Sequence, residues 1–202
     1  MNYLISLPGL LIAIIFHELA HGYAAYKLGD PTAKNAGRLT LNPIKHIDPV
    51  GFLFMLIFKF GWAKAVPINP SYFKRRKRDM IIVSIAGVLT NFLLAILFGF
   101  IIINFEISND YINQMFLIAM WYNLMLGVFN LLPFPPLDGS KIVASLLPTK
   151  LEYLFYKYER YLYIILLLLI MTNTIDKILD PLINILLNSI IRILSWWGCY
   201  GL

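Results

Sequence analysis

Charged residues and cysteine are both scarce in this chain of 202 residues. Charged side chains make up 14% of it, whereas a typical soluble domain has about 25%. The hydrophobic share is 59%, above the usual value of about 45–50%, which argues against a soluble globular protein. The single cysteine, Cys199, excludes an internal disulfide and any zinc site built from several thiolates.

Targeting signals and linkers are missing as well. The first apolar run has no basic segment before it and no small-residue cleavage site, so we expect its helix to be retained rather than removed as a signal peptide. No internal repeat, low-complexity linker or soluble domain is visible. We therefore predict one membrane-embedded domain over residues 1–202, with a core in 1–147 and C-terminal helices in 151–197.

Long apolar runs are what the sequence has in abundance. A bilayer core about 30 Å thick needs about 20 apolar residues per spanning helix. Five runs meet that length: Met1–Tyr26, Met80–Asn104, Tyr111–Leu132, Leu151–Thr172 and Ile178–Trp197. The run Val50–Phe58 is too short to cross and predicts a re-entrant or interfacial segment, while the alternation within Gly37–Asp48 suggests a strand or hairpin. The predicted fold is an all-α polytopic membrane protein with about five transmembrane helices plus this re-entrant or β-hairpin segment.

Basic residues are concentrated in one connection. Eleven of the seventeen Lys and Arg residues lie between Lys27 and Arg78, including the KRRKR run at 74–78. By the positive-inside rule, the basic loop 27–79 is cytoplasmic, the N-terminus lies outside and the C-terminus lies inside. We interpret the KRRKR run as a topological anchor in contact with anionic lipid, and we expect no nucleic-acid partner.

An H-E-x-x-H sequence, HELAH, lies inside the first apolar run. His17 and His21 are four residues apart, so on a helix they share one face and can reach one Zn²⁺ ion. Glu18 is rotated by about 100° from His17, which suits it to act on a metal-bound water rather than as a ligand. Three ionisable groups so close together in a membrane helix are costly unless they bind a metal, pair or reach water.

A catalytic zinc site typically has three protein ligands and one open position. Asp138 is the favoured third ligand, because Pro133, Pro135 and Pro136 break the preceding apolar run beside it. A carboxylate held near membrane depth is costly without a cation. The remaining acidic or imidazole candidates are His46, Asp48, Glu106, Asp110 and Glu152. His46 lies in a Pro-rich, charge-bearing loop, where a structural role is favoured, and Glu106 and Asp110 fall on the predicted outer side.

Several motifs together resemble one known family. HELAH, GDPTAKNAGRLTLNPIKHIDPVG, GWAKAVPINP, AGVLTN and FNLLPFPPLDG occur in the order seen in the site-2 proteases, in the short type without an inserted PDZ domain. The resemblance covers roughly residues 16–147. Two departures are visible, since Ala65 and Val88 stand where such sequences have proline.

The resemblance implies an intramembrane zinc metalloprotease with a core of three helices. It implies one zinc ion per chain held by His17, His21 and Asp138, with Glu18 as the general base and Asn130 as a polar group near the scissile carbonyl. The expected partners are a membrane-spanning protein substrate and the lipid bilayer, with a possible homo-oligomer. The alternatives are a metal or proton transporter, since intramembrane His, Glu and Asp also mark ion pathways, and an inactive binding scaffold.

Overall fold

The computed structural model describes residues 3–51, 63–105 and 107–200, in which the regular elements are helices. The α-helices that we number are α1 (Tyr3–Lys27), α2 (Thr32–Asn35), α3 (Arg76–Asn104), α4 (Asp110–Asn130), α5 (Asp138–Leu146), α6 (Thr149–Lys157), α7 (Glu159–Met171) and α8 (Thr174–Tyr200). Two 3-10 turns, Pro43–Lys45 and Pro70–Tyr72, lie in the connection between α2 and α3.

Four of these helices are long and apolar enough to cross a membrane, namely α1, α3, α4 and α8. Their apolar side chains are not confined to the face that packs inside. On α3, Leu89, Leu93 and Leu97 are each about half exposed on the outer side of the helix. A ridge of exposed leucine is stable in lipid but not in water. The prediction of an all-α polytopic membrane protein is therefore confirmed.

The core is a bundle in which α1, α3 and α4 each pack against the other two. Small residues allow the helices to approach closely, as is common between membrane helices. A Cβ atom on Gly9 of α1 would lie 2.8 Å from the backbone of Ala119 on α4, and one on Gly127 would lie 2.9 Å from the Phe92 ring on α3. The expected core of three helices is present.

The predicted span Leu151–Thr172 is divided in the structure. Helix α6 ends at Lys157, and α7 begins at Glu159 after a break at Tyr158. Neither piece alone reaches the length of a spanning helix. The prediction of one continuous helix was wrong because apolar content alone does not reveal a turn in the middle of a run. The fifth predicted span is present as α8, which accommodates Pro181 within the helix.

The strand or hairpin predicted for Gly37–Asp48 is also wrong, since the structure gives that segment a 3-10 turn at Pro43–Lys45. Extended pairing in the described parts of the chain is limited to one antiparallel bridge between Ile47 and Ala63. That bridge brings the two ends of the intervening segment together. The re-entrant run itself, Val50–Phe58, lies almost entirely outside the described residues.

A charged contact fixes α6 to the start of α3. The buried Glu152 carboxylate lies 2.9 Å from Lys77 Nζ and 3.4 Å from an Arg76 guanidinium nitrogen. Lys77 also donates to the Leu147 carbonyl. Two of the five cations in the KRRKR run therefore have carboxylate partners within the protein.

The close approach at Gly9 gives a test of the helix core. Gly9→Leu should force α1 away from α4 and lower stability by about 1–3 kcal/mol, the usual cost of overpacking. Thermal unfolding of the purified protein in detergent would measure the loss. The control Leu7→Met changes a neighbouring side chain that is 37% exposed, and it should leave the melting temperature unchanged. An unaltered melting temperature for Gly9→Leu would contradict the described packing.

Candidate metal centre

The two histidines of HELAH lie one helical turn apart on the inner face of α1. Both are buried, with exposed fractions of 5% for His17 and 4% for His21. Their Nε2 atoms are 2.9 Å apart, and the two rings are perpendicular with centroids separated by 4.4 Å. This confirms that the i, i+4 spacing directs both imidazoles to one point.

Asp138 reaches the same point from a different part of the chain. Helix α4 ends at Asn130, the proline-containing turn follows, and α5 begins at Asp138 itself. The Asp138 Oδ2 atom lies 3.1 Å from His17 Nε2 and 2.8 Å from His21 Nε2. The other carboxylate oxygen, Oδ1, accepts a hydrogen bond from Lys141 Nζ at 3.0 Å. Each carboxylate oxygen thus faces a different partner.

Hydrogen bonds at the far side of each imidazole determine its tautomer. His21 Nδ1 lies 2.7 Å from the Val83 carbonyl, which can only accept, so Nδ1 carries the hydrogen. His17 Nδ1 lies 2.6 Å from Asn91 Oδ1. The Asn91 amide nitrogen donates to the carbonyl of Ala13 and to Asn123 Oδ1, both at 3.0 Å, which fixes the direction of that amide. His17 Nδ1 must then be the donor.

In the neutral form of each ring, Nε2 therefore presents a lone pair toward Asp138. The Asp138 Oδ2 atom is buried, and its close polar contacts are these two imidazole nitrogens. Three acceptors at one buried point repel one another unless a cation lies between them. Ligands of one tetrahedral zinc ion are about 3.3 Å apart when the metal–nitrogen distance is about 2.0–2.1 Å. The three observed separations of 2.9, 3.1 and 2.8 Å are slightly below that value, so the side chains fit a metal ion in chemistry and come close to it in spacing.

The absence of a side chain at Gly87 lets α3 lie against the histidines. A Cβ atom built on Gly87 would overlap His21 Nε2 and would lie 2.8 Å from His17 Cε1. Any other residue would enter the space at which the ligand atoms converge. Gly139 has a comparable role beside Asp138, since a Cβ there would overlap the Leu131 and Leu132 carbonyl oxygens at the end of α4.

Glu18 follows His17 on α1 and is not part of the cluster of ligand atoms. Its Oε2 atom accepts a hydrogen bond of 2.7 Å from the backbone N–H of Val66, in the connection between α2 and α3. Oε1 makes no hydrogen bond within residues 3–51, 63–105 and 107–200. One oxygen is thus anchored while the other is left for a water molecule or a substrate.

Asn130 is the last residue of α4. Its side-chain amide donates a hydrogen bond of 3.0 Å to the carbonyl of Leu126, one turn earlier. The structure therefore places it eight residues before Asp138, on the far side of the proline turn, without a hydrogen bond to the metal cluster. His46 is also kept apart, because its Nε2 atom binds the Thr40 carbonyl at 2.7 Å. Among the described residues, His17, His21 and Asp138 are the three that meet.

Sequence reasoning missed the groups that hold these ligands. Asn91 orients His17, a role that its position in an apolar helix does not distinguish from ordinary helix packing. Asn123, Lys141 and the Val66 N–H are the other groups that the sequence does not single out. An asparagine in an apolar helix was the available signal, because a buried amide in a membrane must find partners. The contribution of a backbone carbonyl such as that of Val83 leaves no sequence signal.

Sequence comparison with known proteins assigns the chain that carries this site to one family. The model of "Peptidase family M50" matches residues 102–172, which include Asp138. "Putative zinc metalloprotease YwhC" of Bacillus subtilis is 40% identical over 194 residues, covering 92% of this chain and 89% of its own length. No solved structure shows significant similarity.

The chain belongs to peptidase family M50.

More distant relatives support the assignment. "Putative zinc metalloprotease MJ0611" of Methanocaldococcus jannaschii is 32% identical over 143 residues, covering 70% of each chain. "Putative zinc metalloprotease Rip2" of Mycolicibacterium smegmatis is 25% identical over 182 residues, covering 87% of this chain and 70% of its own. The resemblance to site-2 proteases is thereby confirmed, and these relatives are named as zinc metalloproteases.

The two departures from the family pattern leave the ligands untouched. Val88 is buried in α3, which runs unbroken from Arg76 to Asn104, so valine here belongs to a continuous helix. Ala65 is exposed and directly precedes Val66, whose N–H binds Glu18. Neither residue is one of the three members of the metal cluster.

The hydrogen bond from His17 to Asn91 predicts that Asn91 affects zinc affinity. Asn91→Leu should weaken zinc binding by about 10–100-fold, the usual effect of removing a partner of a ligating histidine. Asn91→Asp keeps an acceptor toward His17 and should lose less. Competition with a chromophoric chelator measures both. Asn104→Leu, an exposed change on the same helix, is the matched control, and equal affinities for all variants would refute the assigned role.

Proposed function

We propose that this chain is an intramembrane zinc metalloprotease that hydrolyses peptide bonds within, or at the cytoplasmic edge of, membrane-spanning segments of substrate proteins. The observation that carries the proposal is the convergence of two imidazole Nε2 atoms with Asp138 Oδ2, at 2.8–3.1 Å, among apolar helices. Membership of peptidase family M50 supports the reaction class.

The proposed ligands are His17, His21 and Asp138, with one zinc ion per chain. A zinc ion held by these three groups would leave a position open for water or substrate, would polarise a carbonyl and would lower the pKa of a bound water toward about 7. Asn91 and the Val83 carbonyl hold the imidazoles in the tautomer that binding needs. Lys141 lies against the free side of the Asp138 carboxylate and limits its rotation.

Glu18 is the proposed general base. It takes a proton from the attacking water and delivers it to the leaving amine nitrogen, so that the peptide bond breaks into a carboxylate and an amine. Its anchoring to Val66 supports this role, since a positioned base loses little freedom in the reaction. A metal transporter does not need a glutamate next to its metal ligands in the sequence, so the presence of Glu18 beside His17 favours hydrolysis over metal transport.

Asn130 is the proposed donor to the oxyanion that develops on the scissile carbonyl. Removal of such a donor costs about 10²–10³ in rate in proteases. One amide hydrogen of Asn130 is used by the Leu126 carbonyl. The second has no partner in the described portion of the chain, which leaves it available for a substrate.

The depth of the site follows from its distance to the end of α1. His17 is ten residues before Lys27, or about 15 Å along the helix, so the metal site lies within the hydrocarbon region and nearer the basic end. Hydrolysis consumes water, which must reach this depth. The Lys141 side chain is 39% exposed while touching Asp138, and this supports a hydrated route from the same end of the bundle.

The division of roles between Glu18 and Asp138 is testable. Glu18→Gln should retain about one zinc ion per chain and lose cleavage of single-span membrane substrates by at least about 10²-fold. Asp138→Ala should lose zinc as well, because it removes a ligand. Elemental analysis and mass spectrometry of the products would measure the two effects. Cleavage at the wild-type rate by Glu18→Gln would refute the assignment of Glu18 as the base. Active protein without zinc would refute the requirement for zinc.

The orientation of the chain determines which substrate fragment is freed. Basic residues predict that the loop 27–79 is cytoplasmic and that the connection at 107–109 is outside. In a Cys199-free background, a cysteine at residue 108 should react with an impermeant maleimide on intact cells, whereas one at residue 76 should react only after permeabilisation. Labelling of position 76 from outside would overturn the orientation. In the wild-type protein, which retains Cys199, labelling of that residue reports the side of the C-terminus, which is predicted to be cytoplasmic.

A further inference from the structure

A second polar feature lies away from the metal centre, where α1 ends and α3 begins. A cavity of about 430 Å³ there is lined by Lys27, Leu28, Gly29, Lys74, Arg75, Arg78 and Asp79. Helices α1 and α3 are both candidate membrane spans. The end of α1 and the start of α3 both line the cavity, so these two helix ends lie at the same surface of the bundle.

The cations around this cavity lack carboxylate partners. Within the described ranges, Lys27, Lys74, Arg75 and Arg78 form no salt bridge, whereas the neighbouring Arg76 and Lys77 both pair with Glu152. The KRRKR run is therefore divided into two sets with different surroundings. One set fixes α6 to α3, and the other set faces an open cavity.

The remaining groups around the cavity do not neutralise it. Asp79 is buried, and its Oδ2 atom accepts the backbone N–H of Arg75 at 2.9 Å. Lys27 Nζ lies 5.3 Å from the centre of the Tyr23 ring, a contact that leaves its charge unpaired. Gly29 has a φ of 105°, a value that side chains disfavour, and it leaves its part of the wall without a side chain.

We propose that this cavity binds a phosphate group presented at the membrane surface, as in the headgroup of an anionic phospholipid. Arginine and lysine are the side chains that bind phosphate oxygens most strongly. Clusters of basic residues beside a membrane helix are typical of sites for anionic headgroups. This inference does not depend on protease activity.

A phosphate in this position would join the two helices that carry the metal centre. Lys27 lies six residues beyond His21 on α1, or about 9 Å along the helix. Asp79 lies one turn before Val83, whose carbonyl orients His21. A bound headgroup would neutralise repulsion among four cations and hold these helix ends together, so it should stabilise the folded protein.

Thermal unfolding in a neutral detergent tests the proposal. Unfolding is followed by tryptophan fluorescence. Short-chain phosphatidylglycerol should raise the melting temperature of the wild-type protein, while short-chain phosphatidylcholine, which is zwitterionic, should raise it much less. Titration of the shift gives an apparent affinity. Lys74→Gln combined with Arg78→Gln should weaken that affinity at least tenfold.

A matched control removes the same charge elsewhere. Lys45→Gln combined with Lys150→Gln changes two exposed lysines outside the cavity, and this protein should keep the wild-type response. Melting without ligand shows that each variant is folded. An equal loss of affinity in the control, or an unchanged response in the cavity variant, would overturn the proposal.

Pyrophosphate distinguishes the two sources of the phosphate group. Stabilisation by pyrophosphate equal to that by phosphatidylglycerol, and lost in the cavity variant, would assign the site to soluble phosphate compounds. Stabilisation by phosphatidylglycerol alone would assign it to lipid. Failure of both ligands to stabilise the wild-type protein would reject a phosphate site while leaving the proposed protease function standing.

Discussion

The convergence of three buried polar atoms on one point is the constraint on which this structure depends. In their neutral form, His17 and His21 direct Nε2 lone pairs at Asp138 Oδ2, so that three acceptors face one another. In an apolar environment such an arrangement is unstable without a cation. The rest of the bundle maintains the arrangement. Gly87 leaves space for it, Asn91 and the Val83 carbonyl orient it, and the proline turn delivers Asp138.

Sequence reasoning predicted most of what a periodic pattern can encode. The length of the apolar runs gave the spanning helices α1, α3, α4 and α8, and the four-residue spacing gave the paired imidazoles. The proline-rich break singled out Asp138 as the predicted third ligand, because prolines that remove backbone donors at membrane depth are visible in the sequence. These features depend on local composition, which the sequence states directly.

What could not be predicted depends on tertiary contacts or on small local breaks. The interruption at Tyr158 divides an apolar run that composition treats as continuous. The 3-10 turn at Pro43–Lys45 replaces an expected strand, because Asn42 caps it and proline removes a donor that a strand would need. The pairing of Glu18 with the Val66 N–H and of His21 with the Val83 carbonyl uses backbone groups, which every residue has and which therefore carry no signal.

The separation of the ligands along the chain has a consequence for biosynthesis. HELAH is made early, in the first helix, but its third partner stands at the start of α5, beyond two further membrane helices. A nascent chain that has inserted only α1 holds two histidines with no completed site. With the proposed ligands, metal capture would require that α3, α4 and the proline turn have docked, so the hydrolytic site would form only when translation and bundle assembly have passed residue 138. A ribosome-bound fragment ending before that residue would carry HELAH in the bilayer without the proposed third ligand.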